Sequence, residues 1–253
     1  MSREAIRERG KEIAAALGLD TPRSPVPGLD DLMAEAVYAG IWGRPQLAPA
    51  ERTICTLAVL SSLQRLPALQ SILATALQVG LTARNILEVF VQTGLYAGFA
   101  TTDASVAVAQ EVFRARGLSL GSEPQSDDSI EALDRKGREV MALLHGTRAD
   151  EGYAAPGNNV TGALYPTAIR YGYGALWSRP GLNHRQRMLC ALAAFTVLGL
   201  EGQLGKFAKS AANVGLTREE VIEAVIQTAP YGGFPRALNG LAIISELVAG
   251  AEV

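Results

Sequence analysis

Residues 88–100 read EVFVQTGLYAGFA, and residues 223–235 read EAVIQTAPYGGFP. The two stretches carry Glu, Gln, Thr, Tyr, Gly and Phe at matching positions, 135 residues apart (223 minus 88). The same offset continues upstream without a gap and pairs further distinctive residues: Tyr38 with Tyr173, Trp42 with Trp177, Arg44 with Arg179, Arg52 with Arg187 and Cys55 with Cys190. One register over so many residues indicates a tandem duplication of a single unit.

The two units differ in length near their beginnings. Gly10 faces Gly137 at an offset of 127, so the second unit carries eight extra residues (135 minus 127), which we place near 146–163. That stretch is rich in Gly, Asn and Asp, a composition typical of an irregular loop. Residues 117–130 form a polar link. We therefore predict a first repeat over residues 1–118 and a second repeat over residues 119–253.

The pattern of apolar residues predicts an all-α fold. Residues 51–62 and 186–198 are long apolar stretches without the alternation of a strand, and both are typical of buried helices. Thr217 and Glu220 have the spacing of a capping box, which opens a helix. In the first repeat Thr82 can cap, but Asn85 stands where the glutamate would be, so we expect an incomplete box. Last helices are predicted over 103–115 and 236–250.

Composition excludes several classes of function. The chain has 253 residues, of which 48% are hydrophobic and 19% charged, and its formal net charge is -2. Such a chain offers no positive field for nucleic acid or an anionic membrane, so we expect neither partner. It shows no signal peptide and no stretch of roughly 20 apolar residues, and we expect a cytoplasmic location. Its two cysteines exclude a CxxC redox pair.

The order of signals in each repeat resembles the carboxymuconolactone decarboxylase family. A Trp and an Arg-Pro pair precede an Arg-led buried helix, and a Gly-Leu-Thr cap leads to a helix that ends in Gln-Thr-x-x-Tyr-x-Gly-Phe. The resemblance covers nearly the whole chain twice and implies two tandem copies of the alkylhydroperoxidase-D-like helical unit. It also implies a homo-oligomer, with a trimer first and a dimer second.

Two departures separate the chain from relatives of known chemistry. The resemblance leads us to expect a catalytic histidine eight residues before the Gly-Leu-Thr glycine, where this chain has Ile72 and Phe207. Peroxidase-type relatives carry CxxC in the preceding turn, where this chain has residues 65–68 and 200–203 without cysteine. A disulfide-based peroxidase needs a reactive thiolate and a resolving cysteine, so that activity is excluded.

The remaining candidates for catalysis are polar residues. Tyr96 and Tyr231 are candidate proton or hydrogen-bond donors, although a tyrosine beside glycine also often closes a turn. Gln92 and Gln227 lie one helical turn earlier on the same face, and we assign them to substrate binding. His184 occurs in one repeat only and follows Asn183 at a predicted helix start; it is either a proton-transfer residue or a solvated capping residue.

Candidate residues for substrate binding complete the site. Arg44 and Arg179 can clamp a carboxylate, or else form salt bridges within the protein. Trp42 and Trp177 can wall a pocket or simply pack in the core. Ile72 and Phe207 would make one corner of the site apolar in both repeats.

These residues favour a small-molecule site without a metal or organic cofactor. The two histidines form no ligand cluster, and no nucleotide-binding motif is present. We expect a cofactor-independent lyase or cyclase that acts on a hydrophobic cyclic or polyketide-like molecule by decarboxylation, elimination or cyclisation. Decarboxylation of a lactone acid is the alternative, and a non-catalytic binding or assembly protein is the second alternative.

Overall fold

The computed structural model describes residues 2–19, 24–119, 128–150 and 159–249. Across these residues the chain is helical and contains no strand, which confirms the all-α prediction. The predicted boundary at 118/119 lies next to residues outside the described part, and it stays a prediction. In the second repeat, Gly146–Asp150 form a 3-10 helix within the stretch predicted as a loop, and residues 151–158 of that stretch lie outside the described residues.

Within the described residues, the first repeat contains six helical elements. They are α1 (Arg3–Ala16), α2 (Leu29–Leu32, continuing as a π-helix over Met33–Trp42), α3 (Pro49–Ser62), α4 (Leu66–Gln78), α5 (Ala83–Ala97) and α6 (Phe99–Ala115). The second repeat follows the same order. Its elements are α7 (Ile130–His145), α8 (Tyr165–Thr167, continuing as a π-helix over Ala168–Leu176), α9 (His184–Leu198), α10 (Glu201–Ser210), α11 (Arg218–Gly232) and α12 (Phe234–Ala249).

Both α5 and α11 begin with a complete capping box. At Thr217 and Glu220 the box confirms the sequence prediction. At Thr82 the prediction of an incomplete box was wrong, because the Asn85 Oδ1 accepts the Thr82 backbone N–H at 2.8 Å while the Asn85 N–H donates to Thr82 Oγ1 at 3.1 Å. An amide oxygen is also a hydrogen-bond acceptor, and the shorter Asn side chain still reaches the capping residue.

Two π-helical segments place the tryptophans. Trp42 is the last residue of its segment, and Trp177 directly follows the equivalent one. Each segment packs closely on the first helix of its repeat, α2 on α1 and α8 on α7. A Cβ at Gly10 would overlap the carbonyl oxygen of Ala34, and one at Gly137 would overlap that of Ile169. The paired glycines therefore allow the close approach that positions both indoles.

Helices α3 and α9 form the centre of the molecule and pack on each other. Both helices are buried along almost their whole length, as the apolar stretches predicted. Cys55 and Cys190 are fully buried free thiols on these helices. Burial raises the pKa of Cys190 to about 12 and that of Cys55 further, so both remain protonated core residues. In the described part of the chain, no helix is both long and apolar enough to cross a membrane.

Two buried ion pairs join the repeats. Arg52 on α3 contacts Glu223 on α11 at 2.7 Å, and Arg187 on α9 contacts Glu88 on α5 at 3.0 Å. Each pair takes its arginine from one repeat and its glutamate from the other. Removal of one partner leaves the other charge unpaired in a medium of low dielectric, and this lowers the free energy of unfolding.

We expect Arg52→Met to lower the free energy of unfolding by about 3 kcal/mol, because Glu223 would keep its burial and lose its buried counter-charge. Urea denaturation followed by circular dichroism measures the change. Arg3→Met is the matched control, since Arg3 pairs with Glu35 at a side chain that is 74% exposed and should cost less than about 1 kcal/mol. Equal losses in the two variants would contradict the structural role of the buried pair.

Candidate functional site

The candidate site of each repeat is composite, because its residues come from both repeats. Arg179 donates from Nε and Nη2 to the Glu88 carboxylate at 3.0 and 2.8 Å. Arg44 makes the equivalent contacts to Glu223 at 2.8 and 2.6 Å. Both predicted carboxylate clamps therefore already hold a carboxylate of the protein, which is the salt-bridge alternative considered from the sequence. Their side chains are nevertheless 44% and 40% exposed, so they lie at the surface edge of each site.

The two glutamates differ in the number of arginines around them. Arg84 also contacts Glu88, at 3.1 Å, so three guanidinium groups surround this carboxylate. The position equivalent to Arg84 in the second repeat is Glu219. Glu223 is contacted by two guanidinium groups among the described residues. The arrangement around Glu88 is therefore the more favourable one for an anionic ligand.

Hydrogen bonds connect the arginines around Glu88 to Tyr96. Arg187 Nη1 donates to Gln92 Oε1 at 2.9 Å, and Gln92 Nε2 donates to the Tyr96 hydroxyl at 2.8 Å. The prediction that Gln92 and Tyr96 share a helix face is confirmed. Through this chain of contacts, the buried arginine fixes the position of the phenol.

The other repeat uses different donors at the equivalent positions. Gln227 accepts from Arg52 at 3.1 Å, but its Nε2 donates to Thr56 Oγ1 at 3.2 Å, and the Tyr231 hydroxyl accepts from Trp42 Nε1 at 2.9 Å. The residue equivalent to Thr56 is Ala191, which offers no hydroxyl. Gln227 therefore has a hydroxyl acceptor that Gln92 lacks, and Gln92 donates to its tyrosine instead.

Aromatic side chains surround Tyr96. Its ring centroid lies 4.6 Å from that of Phe195, and Phe195 lies 5.0 Å from Phe207. Trp177 is 6.1 Å from Phe207 and 6.3 Å from Tyr173. We call this group the aromatic cluster: Tyr96, Tyr173, Trp177, Phe195 and Phe207. In the first repeat, the positions equivalent to the two phenylalanines are occupied by Leu60 and Ile72, so this part of the corresponding site is aliphatic.

Both histidines of the chain lie against the aromatic cluster. His184 is the first residue of α9, as predicted, and its ring lies 6.2 Å from that of Trp177. His145, at the end of α7, was not singled out from the sequence, yet its ring lies 5.0 Å from that of Phe207. The available signal was its place on a buried helix face that also includes Met141 and Leu144.

Burial keeps these groups neutral. Desolvation raises the pKa of Tyr96 well above its ordinary value, with the Gln92 hydrogen bond opposing the shift, and desolvation likewise raises the pKa of Tyr231. The pKa of His145 falls to about 4 because burial, Lys206 and Arg148 all disfavour its charged form. Burial and the nearby Arg187 lower the pKa of His184. At neutral pH the site therefore offers phenols as donors and uncharged imidazoles.

The structure brings the predicted residues together in two groups, each drawn from both repeats. One group consists of Gln92, Tyr96, Trp177, Arg179, His184 and Phe207. The second consists of Trp42, Arg44, Gln227 and Tyr231, with Ile72 buried in the same core. The described residues contain no cluster of three or more His, Cys, Asp or Glu side chains that could hold a metal ion.

Comparisons with known proteins agree with this architecture. The model of the carboxymuconolactone decarboxylase family matches residues 27–111 and 163–246. The 4-carboxymuconolactone decarboxylase of Acinetobacter baylyi is 31% identical over 78 residues, which are 31% of this chain and 58% of that protein. The nitrosuccinic acid decarboxylase of Metarhizium robertsii is 31% identical over 131 residues, which are 51% of this chain and 90% of that protein.

A crystal structure shares the fold along the whole chain. It is assigned as a gamma-carboxymuconolactone decarboxylase subunit from Burkholderia xenovorans LB400, with a TM-score of 0.54 and 19% identity over 99% of each chain. At that identity the similarity shows a common fold.

The buried His145 should make stability depend on pH. Its pKa is about 4 in the folded protein and about 6.5 when unfolded, so the unfolded state binds more protons between these values. Its contribution is present above pH 6.5 and is lost as pH falls towards 4, by about 3 kcal/mol in total. We expect the stability of the wild type relative to His145→Gln to decline over this window.

Urea denaturation at pH 7, 5.5 and 4 measures this difference, and subtraction of the variant removes the contributions of carboxylates that both proteins share. A constant difference over the three pH values would show that His145 titrates normally.

Proposed function

The chain belongs to the carboxymuconolactone decarboxylase family, whose model matches about two thirds of it, and we propose that it is a cofactor-independent carboxy-lyase. We propose a hydrophobic cyclic or polyketide-like carboxylic acid as its substrate. The reaction would take place at the aromatic cluster, beside the three arginines that contact Glu88. Two of its relatives are named as decarboxylases, which supports this class of reaction.

One observation carries the proposal. The aromatic cluster and the arginines around Glu88 are neighbours, joined by the hydrogen bonds from Arg187 through Gln92 to Tyr96. Aromatic rings favour an apolar ring system, whereas a guanidinium-rich edge favours a carboxylate. A cyclic acid has both features, and it would bind with its carboxylate towards the partly exposed Arg179.

The chemistry expected at this site is simple. Loss of carbon dioxide breaks a carbon–carbon bond and leaves an electron pair, which an adjacent carbonyl of the substrate accepts as an enolate. Hydrogen-bond donors stabilise the charge that develops on the oxygen, and the aromatic cluster itself contains two such donors, the Tyr96 hydroxyl and the Trp177 indole. The raised pKa of Tyr96 keeps its phenol protonated at neutral pH, as a donor must be.

A lactone acid is the second candidate substrate. The relative from Acinetobacter baylyi is named for 4-carboxymuconolactone, and this chain spans 58% of its length. A small polar lactone would match the aliphatic site near Tyr231 as well as the aromatic cluster. The replacement of Leu60 and Ile72 by Phe195 and Phe207 in the second repeat favours a larger, more apolar ring there.

A decarboxylation assay tests the proposal with two acids. We expect carbon dioxide release above the uncatalysed rate from 1-tetralone-2-carboxylate, a bicyclic β-keto acid, and slower release from 4-carboxymuconolactone. Tyr96→Phe should lower kcat about 100-fold, because it removes a donor to the developing oxyanion. Tyr171→Phe is the matched control, since Tyr171 is 50% exposed and should leave turnover unchanged.

Tyr231→Phe shows which site is active, because it changes the equivalent residue on the aliphatic side. A loss of kcat in Tyr231→Phe alone would assign the reaction to the site that contains Tyr231. No release from either acid would contradict the carboxy-lyase and favour the non-catalytic alternative.

We also propose that the chain assembles as a homo-oligomer of three copies, with two copies as the second choice. Large apolar side chains lie exposed on the helices that end each repeat: Phe99 is 60% exposed, Phe234 is 53% exposed and Leu238 is 62% exposed. Exposed apolar surface of this kind often marks an interface.

Light scattering should give about 80 kDa, three times the 26.7 kDa of one chain. Phe99→Glu and Phe234→Glu together should reduce the mass, whereas Val160→Glu, at an exposed position outside the helices, should not. A wild-type monomer would contradict the proposal.

A further inference from the structure

His145 is held in one orientation by its neighbours. Its Nδ1 lies 2.7 Å from Ser210 Oγ, and the Ser210 hydroxyl donates to the Lys206 carbonyl at 3.1 Å while accepting from Arg148 Nη2 at 3.0 Å. With the serine proton assigned to the Lys206 carbonyl, their shared hydrogen bond assigns a proton to the Nδ1 of His145. Nε2 then keeps the basic lone pair of a neutral imidazole.

That second nitrogen lies buried in the protein. His145 is 2% exposed, and its Nε2 has no hydrogen bond to any of the described residues. The Trp177 indole N–H is also buried; it completes no hydrogen bond of normal geometry within the described residues, but it faces the Tyr96 hydroxyl and lowers the pKa of that phenol. The unmatched acceptor is therefore the His145 Nε2, beside Phe207, whose ring lies 5.0 Å from His145 and 6.1 Å from Trp177. A buried polar group without a partner is costly, and a bound ligand can satisfy it.

The first repeat lacks this arrangement. Gly18 stands at the position of His145 by the offset of 127, and Thr75 stands at the position of Ser210 by the offset of 135. The equivalent indole, that of Trp42, is satisfied by Tyr231. The unpartnered imidazole nitrogen is therefore particular to the second repeat.

Phe207 occupies the position at which the family resemblance led us to expect a histidine. The imidazole that lies next to this position comes instead from α7, a different helix. We propose that His145 is the proton-transfer residue of the site at the aromatic cluster and that its Nε2 contacts the substrate. This inference rests on the proposed function and adds to it the residue that delivers the proton.

The step balances without a further reactant. A carboxylate enters with a proton from water, and that proton resides on His145 Nε2 once the negative charge of the substrate lies nearby. The bond to the carboxyl carbon breaks, carbon dioxide leaves, and the electron pair stays on the ring as an enolate. The imidazolium gives its proton to carbon and returns to the neutral form, so that one carboxylate and one proton yield one product and one carbon dioxide.

Ring contacts link Tyr96 to His145 through Phe195 and Phe207, with successive centroid distances of 4.6, 5.0 and 5.0 Å. The ionisable groups close to His145 are Arg148, Lys206 and Tyr173, and both cations disfavour its protonation until an anion binds.

The kinetic test uses 1-tetralone-2-carboxylate with the intact chain. We expect His145→Gln to lower kcat at least 100-fold and to change KM less than about threefold, because the loss concerns proton transfer more than binding. Ser210→Ala should lower kcat about tenfold, because it removes the hydrogen bond that keeps the proton on His145 Nδ1. The matched control is Met141→Leu, a conservative change on the same buried helix face that should leave kcat unchanged.

The pH profile separates proton transfer from a structural role. In the wild type, kcat/KM should fall about tenfold per pH unit above pH 5, and His145→Gln should lose that dependence. The same decline in the variant would mean that the substrate carries the proton, and it would overturn the inference. Phe207→His combined with His145→Gln should recover part of kcat, since it returns an imidazole to the same place.

A binding measurement distinguishes failure of this inference from failure of the proposed function. With 15N-labelled histidine rings, the unreactive tetralin-2-carboxylate should shift the His145 Nε2 resonance towards that of a protonated nitrogen. If the wild type turns over the substrate and His145→Gln is equally active, the proton-transfer role is overturned and the proposed carboxy-lyase activity still stands. Absence of both turnover and a resonance shift overturns both.

Discussion

The rest of the structure depends on the ion pairs that cross between the repeats. Arg187 with Glu88 and Arg52 with Glu223 are buried at the contacts of the central helices with α5 and α11. Each charge is tolerated in the core because its counter-charge lies within hydrogen-bond distance. Since the two partners belong to different repeats, neither repeat completes these buried ion pairs without the other.

The same pairs determine where the candidate sites lie. Each buried arginine also binds a glutamine of the opposite repeat, and in one site that glutamine positions Tyr96. Tyrosine and glutamine therefore arrive from one repeat, while tryptophan and the exposed arginine arrive from the other. Any reaction at such a site requires both copies of the unit, which gives a physical reason for the tandem arrangement within one chain.

The two sites have diverged through a few substitutions with local consequences. Ala191 stands where the first repeat has Thr56, and the glutamine beside it, Gln92, donates to Tyr96. At positions 195 and 207 the second repeat has phenylalanine where the first has aliphatic side chains. The extra residues of the second repeat follow directly after α7, which ends at His145. Taken together, these changes concentrate aromatic and titratable groups on one side of a structure whose backbone repeats almost regularly.

The sequence alone determined the repeat, the buried helices over 51–62 and 186–198 and the shared face of Gln92 and Tyr96, because these follow from local periodicity and a constant register. The prediction of an incomplete capping box at Thr82 was wrong, because the Asn85 amide oxygen accepts the hydrogen bond for which a carboxylate was expected. Only the tertiary structure decided that Arg187 meets Glu88 and that His145 lies against Phe207. A register relates equivalent positions of two copies, but it does not say which helix faces meet, since that depends on how both copies bury their charges together.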